Sequence, residues 1–356
     1  MSILPFQDLT IIDLSTVLAG PSVGTFFAEL GARVIKIEHP IHGDVTNTWC
    51  LVSEAQPNQK SAYYASVNYL KETLALDLTN PEHYTLFEDY LLSADILIMN
   101  FKKGDDQKLK VTPSDLWRIN PSLLIGKITG FGSDNDRIAY DLILQAETGF
   151  MSMNGTSESG PVKMPVALID VLAAHQLKEG LLLALFQRQK DKGQIVTVSL
   201  YDAAICSLAN QASNYLMAQQ VPQRIGSLHP NIAPYGEIFE TLDGQLLTFA
   251  IGSDQHFDKL VSYLGQPELS QDPRFGSNIE RLKNREVLFK HLESVISIRT
   301  CAQITAALFE LNVPVAKIKT LDEVFADPKA LSLVKEEHIN GQNTRRVSQI
   351  AFKFEA

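Results

Sequence analysis

Asp170 is the residue with the most chemistry open to it. It follows an apolar run read as a strand, Pro165-Val166-Ala167-Leu168-Ile169, and immediately precedes a long, mostly apolar segment read as a helix over 171–189. A carboxylate at a helix N-terminus meets unpaired N–H groups and the positive end of the macrodipole, which favour its ionised form. An ionised carboxylate can attack an activated acyl group and form a mixed anhydride. On local sequence alone, capping is the commoner reason for an aspartate at that place. Tyr140 and Asp141 make a second polar pair, read as the opening of a helix with Asp141 bonded to backbone. His175 lies a little beyond the first turn from Asp170, where partial burial is the commoner fate of a histidine. Gly252-Ser253-Asp254-Gln255 is read either as a turn capping a helix at His256 or as a loop closing over a ligand.

Several familiar machineries are missing. No GxGxxG follows the first strand, and there is no Walker A loop, GxSxG elbow or HExxH pair. Cys50, Cys206 and Cys301 lie far apart without metal-ligand spacing, so no metal and no permanently bound cofactor is expected. Each cysteine is read as a small buried hydrophobe, and the odd, sparse count suits a reducing compartment, the cytoplasm.

The elements that must carry these residues alternate. Leu9–Leu14 reads as a strand, Ala19–Ser22 as a turn, Val23–Leu30 as a helix stopped by Gly31, and Arg33–Glu38 as a second strand. That order is a βαβ unit feeding a parallel sheet. Further strands fit Ala94–Met99, Leu123–Ile128 and Ile195–Leu200, with helices over Tyr84–Leu92 and Ser114–Ile119. Residues 1–200 therefore read as an α/β, Rossmann-like large domain. Tyr201–Gln220 is helical and Pro222–Pro234 has a linker's composition, so 201–225 is read as linker helix and loop. Gly236–Thr241 and Gln245–Ala250 flank Leu242-Asp243-Gly244, a hairpin signal. Helices over His256–Leu264, Ile279–Ile296 and Cys301–Asn312 complete a smaller α+β domain at 226–325, and 326–356 is a C-terminal return segment.

Composition adds exclusions. The 356 residues carry 31 Lys and Arg against 41 Asp and Glu, a net charge of −10 without a sizeable basic block. That argues against nucleic acid or an anionic membrane as partner. The greasy stretch Glu179–Phe186 is too short to span a bilayer, and the opening MSILPFQDLT lacks the pattern of a secretory signal.

Taken in chain order, many segments resemble the class III (CaiB/BaiF) CoA-transferases, a family related to formyl-CoA transferase and α-methylacyl-CoA racemase. They are Val17–Pro21, Leu30–Glu38 with Gly43-Asp44, Leu76–Leu78, Ala94–Phe101, Gly130–Gly132, Tyr140–Leu142, Gln145-Ala146, Gly149 and His229–Tyr235, with Asp170 where the family keeps its nucleophile. The resemblance implies a Rossmann-like domain and a smaller one in an interlocked homodimer. It implies acyl-CoA and a carboxylic acid acceptor as partners, and passage through an aspartyl-acyl anhydride and an aspartyl-CoA thioester. It implies that coenzyme A is held by Leu18, Ala19, His39, Leu76, Thr79, Asn100, Phe101 and Lys108. Tyr140 stands where the transferase branch has a tyrosine and the racemase branch a histidine. Tyrosine's intrinsic pKa of about 10 makes it the poorer proton-transfer base, which favours transfer over racemisation. Leu18 replaces the glutamine of formyl-CoA transferases, and Gly252–Gln255 is not their glycine-run loop, which argues against formyl or oxalyl cargo. An epimerase using Asp170 with another acid/base such as Asp254, and a silent CoA-binding homologue, remain the alternatives.

Overall fold

A computed structural model describes residues 4–54, 60–189, 192–339, 342–353 and 355. Six strands form the main sheet: β1 (Thr10–Asp13), β2 (Arg33–Glu38), β3 (Lys71–Ala75), β4 (Ile96–Met99), β5 (Leu124–Thr129) and β6 (Gln194–Ser199). All pairings are parallel, in the order β3-β2-β1-β4-β5-β6. Parallel strands need crossovers, and helices supply them on both faces, so the inner strands are buried in continuous rather than alternating runs, with the charged Asp13 of β1 and Lys36 of β2 buried among apolar neighbours. β4 reads Ile-Leu-Ile-Met, buried at every position.

The two faces divide by the strand period of two. Ile11, Val34, Ile96 and Ile98 pack against α1 (Ala19–Glu29) and the long helix Leu168–Phe186. Ile12, Ile35, Leu97 and Met99 pack on the other face with α3 (Pro81–Leu92) and α4 (Pro113–Ile119), through Phe87, Leu91 and Leu116. Between α1 and α3 lies the short α2 (Ala62–Val67); after β5 come α5 (Asp141–Glu147) and the long helix, α6. A Cβ added at Gly180 of α6 would stand 2.5 Å from Val196, so the missing side chain lets the helix lie close on the sheet.

Several local readings change. Pro165–Ile169 is not a strand: Leu168 and Ile169 already belong to α6, which ends at Phe186 rather than Gln189. The short apolar run cannot by itself distinguish a strand from the first turn of a buried helix. Leu200 opens a helix (Leu200–Cys206) capped by Ser199, and a second helix, Ala209–Ala218, follows after a break where Ala209 takes φ 46°. Of the cysteines only Cys301 is buried; Cys50 and Cys206 are exposed. Among the described residues no helix is long and apolar enough to cross a membrane.

The chain forms two compact units. The first comprises Met1–Met153, Pro161–Gln223 and Ser332–Ala356; the second comprises Asn154–Gly160 and Arg224–Leu331. In the first unit the hairpin of β10 (Val334–Ile339) and β11 (Gln342–Val347) returns to α1, where Glu29 accepts from Arg346, Ser348 and the N–H of Gln349. The second unit carries an antiparallel sheet of β7 (Tyr235–Glu240), β8 (Leu246–Ala250) and β9 (Val315–Lys317), with the expected hairpin between its first two strands. Its helices, Asp254–Tyr263, Asn278–Lys283, Arg285–Ile296 and Cys301–Glu310, enclose their own core of Phe239, Phe249, Phe257, Leu260 and Leu292. The helix read over Ile279–Ile296 is thus two, divided at Asn284.

Candidate active site

Strand order reverses direction at β1 and β4, and in an open α/β sheet the crevice beyond the strand ends at such a point is where ligands bind. Here the crevice is braced across the switch. Asn100, just after β4, accepts the N–H of Thr16 (3.0 Å) and donates to its carbonyl (2.9 Å), clamping the turn after β1. The next residue, Val17, sits at φ 73°, a left-handed conformation costly for a β-branched side chain. Its N–H is directed at both Asp44 carboxylate oxygens (3.3 and 3.4 Å). A Cβ on Gly20 would collide with Ser15, so the turn also requires that glycine.

Beneath the turn lies a buried ionic cluster. Lys36 Nζ donates to the Ser15 carbonyl (2.7 Å) and lies 3.2 Å from Asp44; both side chains are fully buried. Lys71 Nζ donates to Asp13 (2.8 Å), to the carbonyl of Pro21 (2.8 Å) and to Asn68 (3.0 Å). Burial pushes Lys71 down to about 8 against the pull of Asp13. Burial pushes Asp13 up, but Lys71 and Lys36 outweigh it and hold the carboxyl below its usual value.

A cleft of about 360 Å³ opens over this turn, lined among others by Val17, Asn100, Phe101, Lys103, Lys127 and Tyr140. Lys102 and Arg137 also reach it, so basic groups are gathered locally in an acidic protein. Lys127 is 3.4 Å from Asp106. Lys108 lies exposed on the single turn Asp105–Lys108 and does not line this cleft.

The remaining predicted CoA residues gather at two places. Leu18 is the N-cap of α1, half-buried, and Ala19 is its buried first residue. His39, after β2, accepts the N–H groups of Ile41 and His42 at Nδ1 (3.2 and 3.3 Å), which leaves the proton of the neutral ring on Nε2. That nitrogen lies 3.9 Å from Asp77, which also accepts the N–H and hydroxyl of Thr79 (2.9 and 2.7 Å). Leu76 is buried beside Asp77 at the end of β3.

Asp170 is the third residue of α6 rather than its cap; the N-cap is Ala167, which has no side chain to offer. Asp170 is 7% exposed, and among the described residues no group donates a hydrogen bond to its carboxylate. Burial first, and then the negative charge of Asp141, push its pKa up to about 7. The ionised form that a helix N-terminus would favour is therefore disfavoured here. Asp141 opens α5, directly after Tyr140, the half-exposed N-cap of that helix.

Sequence reasoning missed Tyr63 on α2. Burial first, then the charges of Asp170, Asp141 and Asp44, push its hydroxyl up to about 12, so Tyr63 lies within electrostatic reach of Asp170. Its ring meets Trp49 edge-on at 5.1 Å. No local pattern marks it, because Tyr63 and Asp170 are far apart in the chain and only the fold brings their charges within range. Lys127 was missed for the same reason. In the second unit, Ser253 caps the helix Asp254–Tyr263 and Asp254 pairs with Arg281 at 2.6 Å, so both have structural employment there. His175 is exposed.

Comparison with known proteins adds an independent finding. Residues 6–355 match the profile described as CoA-transferase family III. The succinate–glutarate CoA-transferase of Agrobacterium fabrum is 34% identical over 333 residues, spanning 91% of this chain and 82% of that protein. The acetyl-CoA:oxalate CoA-transferase of Acetobacter aceti is 32% identical over 324 residues, 90% of this chain and 82% of its relative. A solved CAIB/BAIF family protein from Brucella suis superposes with a TM-score of 0.84 at 34% identity, covering 98% of this chain and 92% of that one.

Proposed function

This chain belongs to CoA-transferase family III, and from that premise we propose that it moves coenzyme A between carboxylic acids with Asp170 as the carrier. CoA transfer is what its curated relatives are named for. The observation that carries the role of Asp170 is its buried carboxylate at the start of α6, to which no group among the described residues donates a hydrogen bond. A desolvated carboxylate keeps its lone pairs for attack, and a pKa near working pH leaves much of it ionised.

Asp170 adds to the thioester carbonyl of the donor; the C–S bond breaks, CoA leaves as thiolate and a mixed anhydride remains. The thiolate attacks the Asp170 carbonyl carbon and the donor acid departs as carboxylate, leaving an aspartyl-CoA thioester. The acceptor carboxylate then displaces thiolate to form a second anhydride. Thiolate takes the new acyl group and Asp170 is regenerated. Each intermediate retains the energy of the thioester only while water is kept away, which a buried site favours. Lys103 and Lys127 suit the diphosphate of CoA by charge. The acids are small dicarboxylates in this reading, in line with the succinate, glutarate and oxalate in the relatives' names. Leu18 and Gly252–Gln255 argue against oxalyl cargo, so succinate and glutarate lead the acids of this reading. The reading includes an interlocked homodimer: Phe186 (88%) and Met217 (87%) stand exposed in this chain and would be covered in one.

The test is a chemical trap. The protein is incubated with acetyl-, succinyl- and glutaryl-CoA, quenched with hydroxylamine, and digested for mass spectrometry. An aspartyl hydroxamate on the Asp170 peptide, absent from Asp170→Ala, is the expected result. Acyl exchange without any Asp170 adduct would overturn the assignment.

A further inference from the structure

The first turn of α6 raises an accounting question, because the opening N–H groups of a helix have no partner within it. The N–H of Leu168 is directed at the carbonyl of Val166 (2.7 Å), and that of Val171 at the carbonyl of Ala167 (3.1 Å). The N–H groups of Ile169 and Asp170 both point to Asp141 Oδ1, at 2.7 and 3.4 Å. Asp141 belongs to another helix, 29 residues earlier in the chain than Asp170. Its second oxygen, Oδ2, accepts from Gln145 Nε2 at 2.6 Å. Gln145 is fully buried, and its Oε1 in turn accepts the N–H of Met164 (2.7 Å), in the strap that leads into α6. The amide orientation follows from these partners, since only Nε2 can donate to a carboxylate.

We propose that Asp141, held by Gln145, is a positioning residue that caps α6 from outside and so leaves the Asp170 carboxylate unbonded and aimed for attack. The proposal rests on Asp170 as nucleophile. An acidic residue at the third helical position ordinarily folds back to bond the N-cap backbone. Here Asp170 makes no such bond, and Asp141 accepts the N–H groups of Ile169 and Asp170 in place of the side chain that the N-cap Ala167 lacks. Its negative charge beside Asp170 has a second consequence: it opposes ionisation of that carboxylate, the neighbouring titratable groups being Asp141 from α5 and Tyr63 from α2.

The experiment follows single-turnover formation of the hydroxylamine-trapped Asp170 adduct across about pH 5 to 9. It compares wild type, Asp141→Asn, Asp141→Ala, Gln145→Glu and the double variant Asp141→Asn/Gln145→Glu. Asp141→Ala should slow the adduct about 100-fold, the scale of a small misplacement of a reacting group, while KM for acyl-CoA moves little because the cleft is untouched. Asp141→Asn places a second NH₂ against Gln145 Nε2 and should be slow as well. The double variant restores a donor–acceptor pair there and should recover much of the rate. Both variants at position 141 should move the acid limb to lower pH, because one negative charge beside Asp170 is gone. If Asp141→Ala does not fold, the contrast between Asp141→Asn and the double variant decides. Adduct formation within about threefold of wild type in Asp141→Asn, with an unmoved acid limb, would overturn the proposal. So would a double variant no faster than Asp141→Asn. Wild-type protein whose adduct maps away from Asp170 would instead overturn the reading of Asp170 itself.

Discussion

Replacing Asp170 by asparagine should make the protein more stable above neutral pH while abolishing turnover. In the fold, burial and Asp141 raise the carboxyl from its ordinary 3.8 to about 7. At about 1.4 kcal/mol for each tenfold change in proton affinity, that rise corresponds to roughly 4 kcal/mol. The sign follows from which state binds the proton. Between about pH 4 and pH 7 the folded chain holds a proton that the unfolded chain has released. The contribution of Asp170 to stability is therefore complete at low pH, falls as pH rises through about 7, and is level above it. Asparagine has nearly the shape of the protonated acid and does not titrate. Urea unfolding of the two proteins should then give similar stabilities near pH 4 and a gap that widens to roughly 4 kcal/mol in favour of Asp170→Asn by about pH 8. The difference between the two curves cancels every other titrating group. A gap that does not vary with pH would refute the reasoning. A gap that closes as pH rises would point to an ordinary N-terminal aspartate stabilised by ionisation.

Two further perturbations separate the parts of the site. Lys71→Met leaves Asp13 and two carbonyl-type acceptors without their buried partner, and should cost roughly 3–5 kcal/mol in urea unfolding. The exposed Arg33–Glu72 pair, between β2 and β3, gives a contrast: Arg33→Ala should cost less than about 1 kcal/mol, and similar losses for both would show that burial is not what matters. Lys103→Ala combined with Lys127→Ala should raise KM for acyl-CoA about tenfold with kcat little changed, as loss of a charge-assisted contact to phosphate predicts; an unchanged KM in steady-state kinetics would remove the diphosphate from this cleft.

Much of the frame was legible because its signals are local. The apolar runs of β1, β2, β4 and β5, the Gly31 stop after α1 and the Asp243-Gly244 turn each depend on a few neighbouring residues, and the structure keeps them. The errors fall where local signals are ambiguous. Pro165–Ile169 is apolar enough for a strand, yet its second half is the first turn of α6, because an acceptor far off in sequence satisfies the exposed N–H groups. Cys50 and Cys206 are exposed although cysteine favours burial, since propensity says nothing about which surface an element presents.

Sequence alone determined the parallel α/β class and most of its strands and helices, since these follow from periodicity and turn chemistry, and the ordered resemblance of its segments to the family made Asp170 the candidate. Tertiary structure alone brought Asp141 to the first turn of α6, set Tyr63 within range of the charge of Asp170, and put Lys127 rather than Lys108 at the cleft. It also joined Asp13 to Lys71 and Asp44 to Lys36 beneath the strained turn at Val17. The strand order β3-β2-β1-β4-β5-β6 brings the segments that follow distant strands together at the C-terminal ends of the sheet. Burial and the charges that meet there set the proton affinity of Asp170, and neither is a property of its immediate neighbours in the chain.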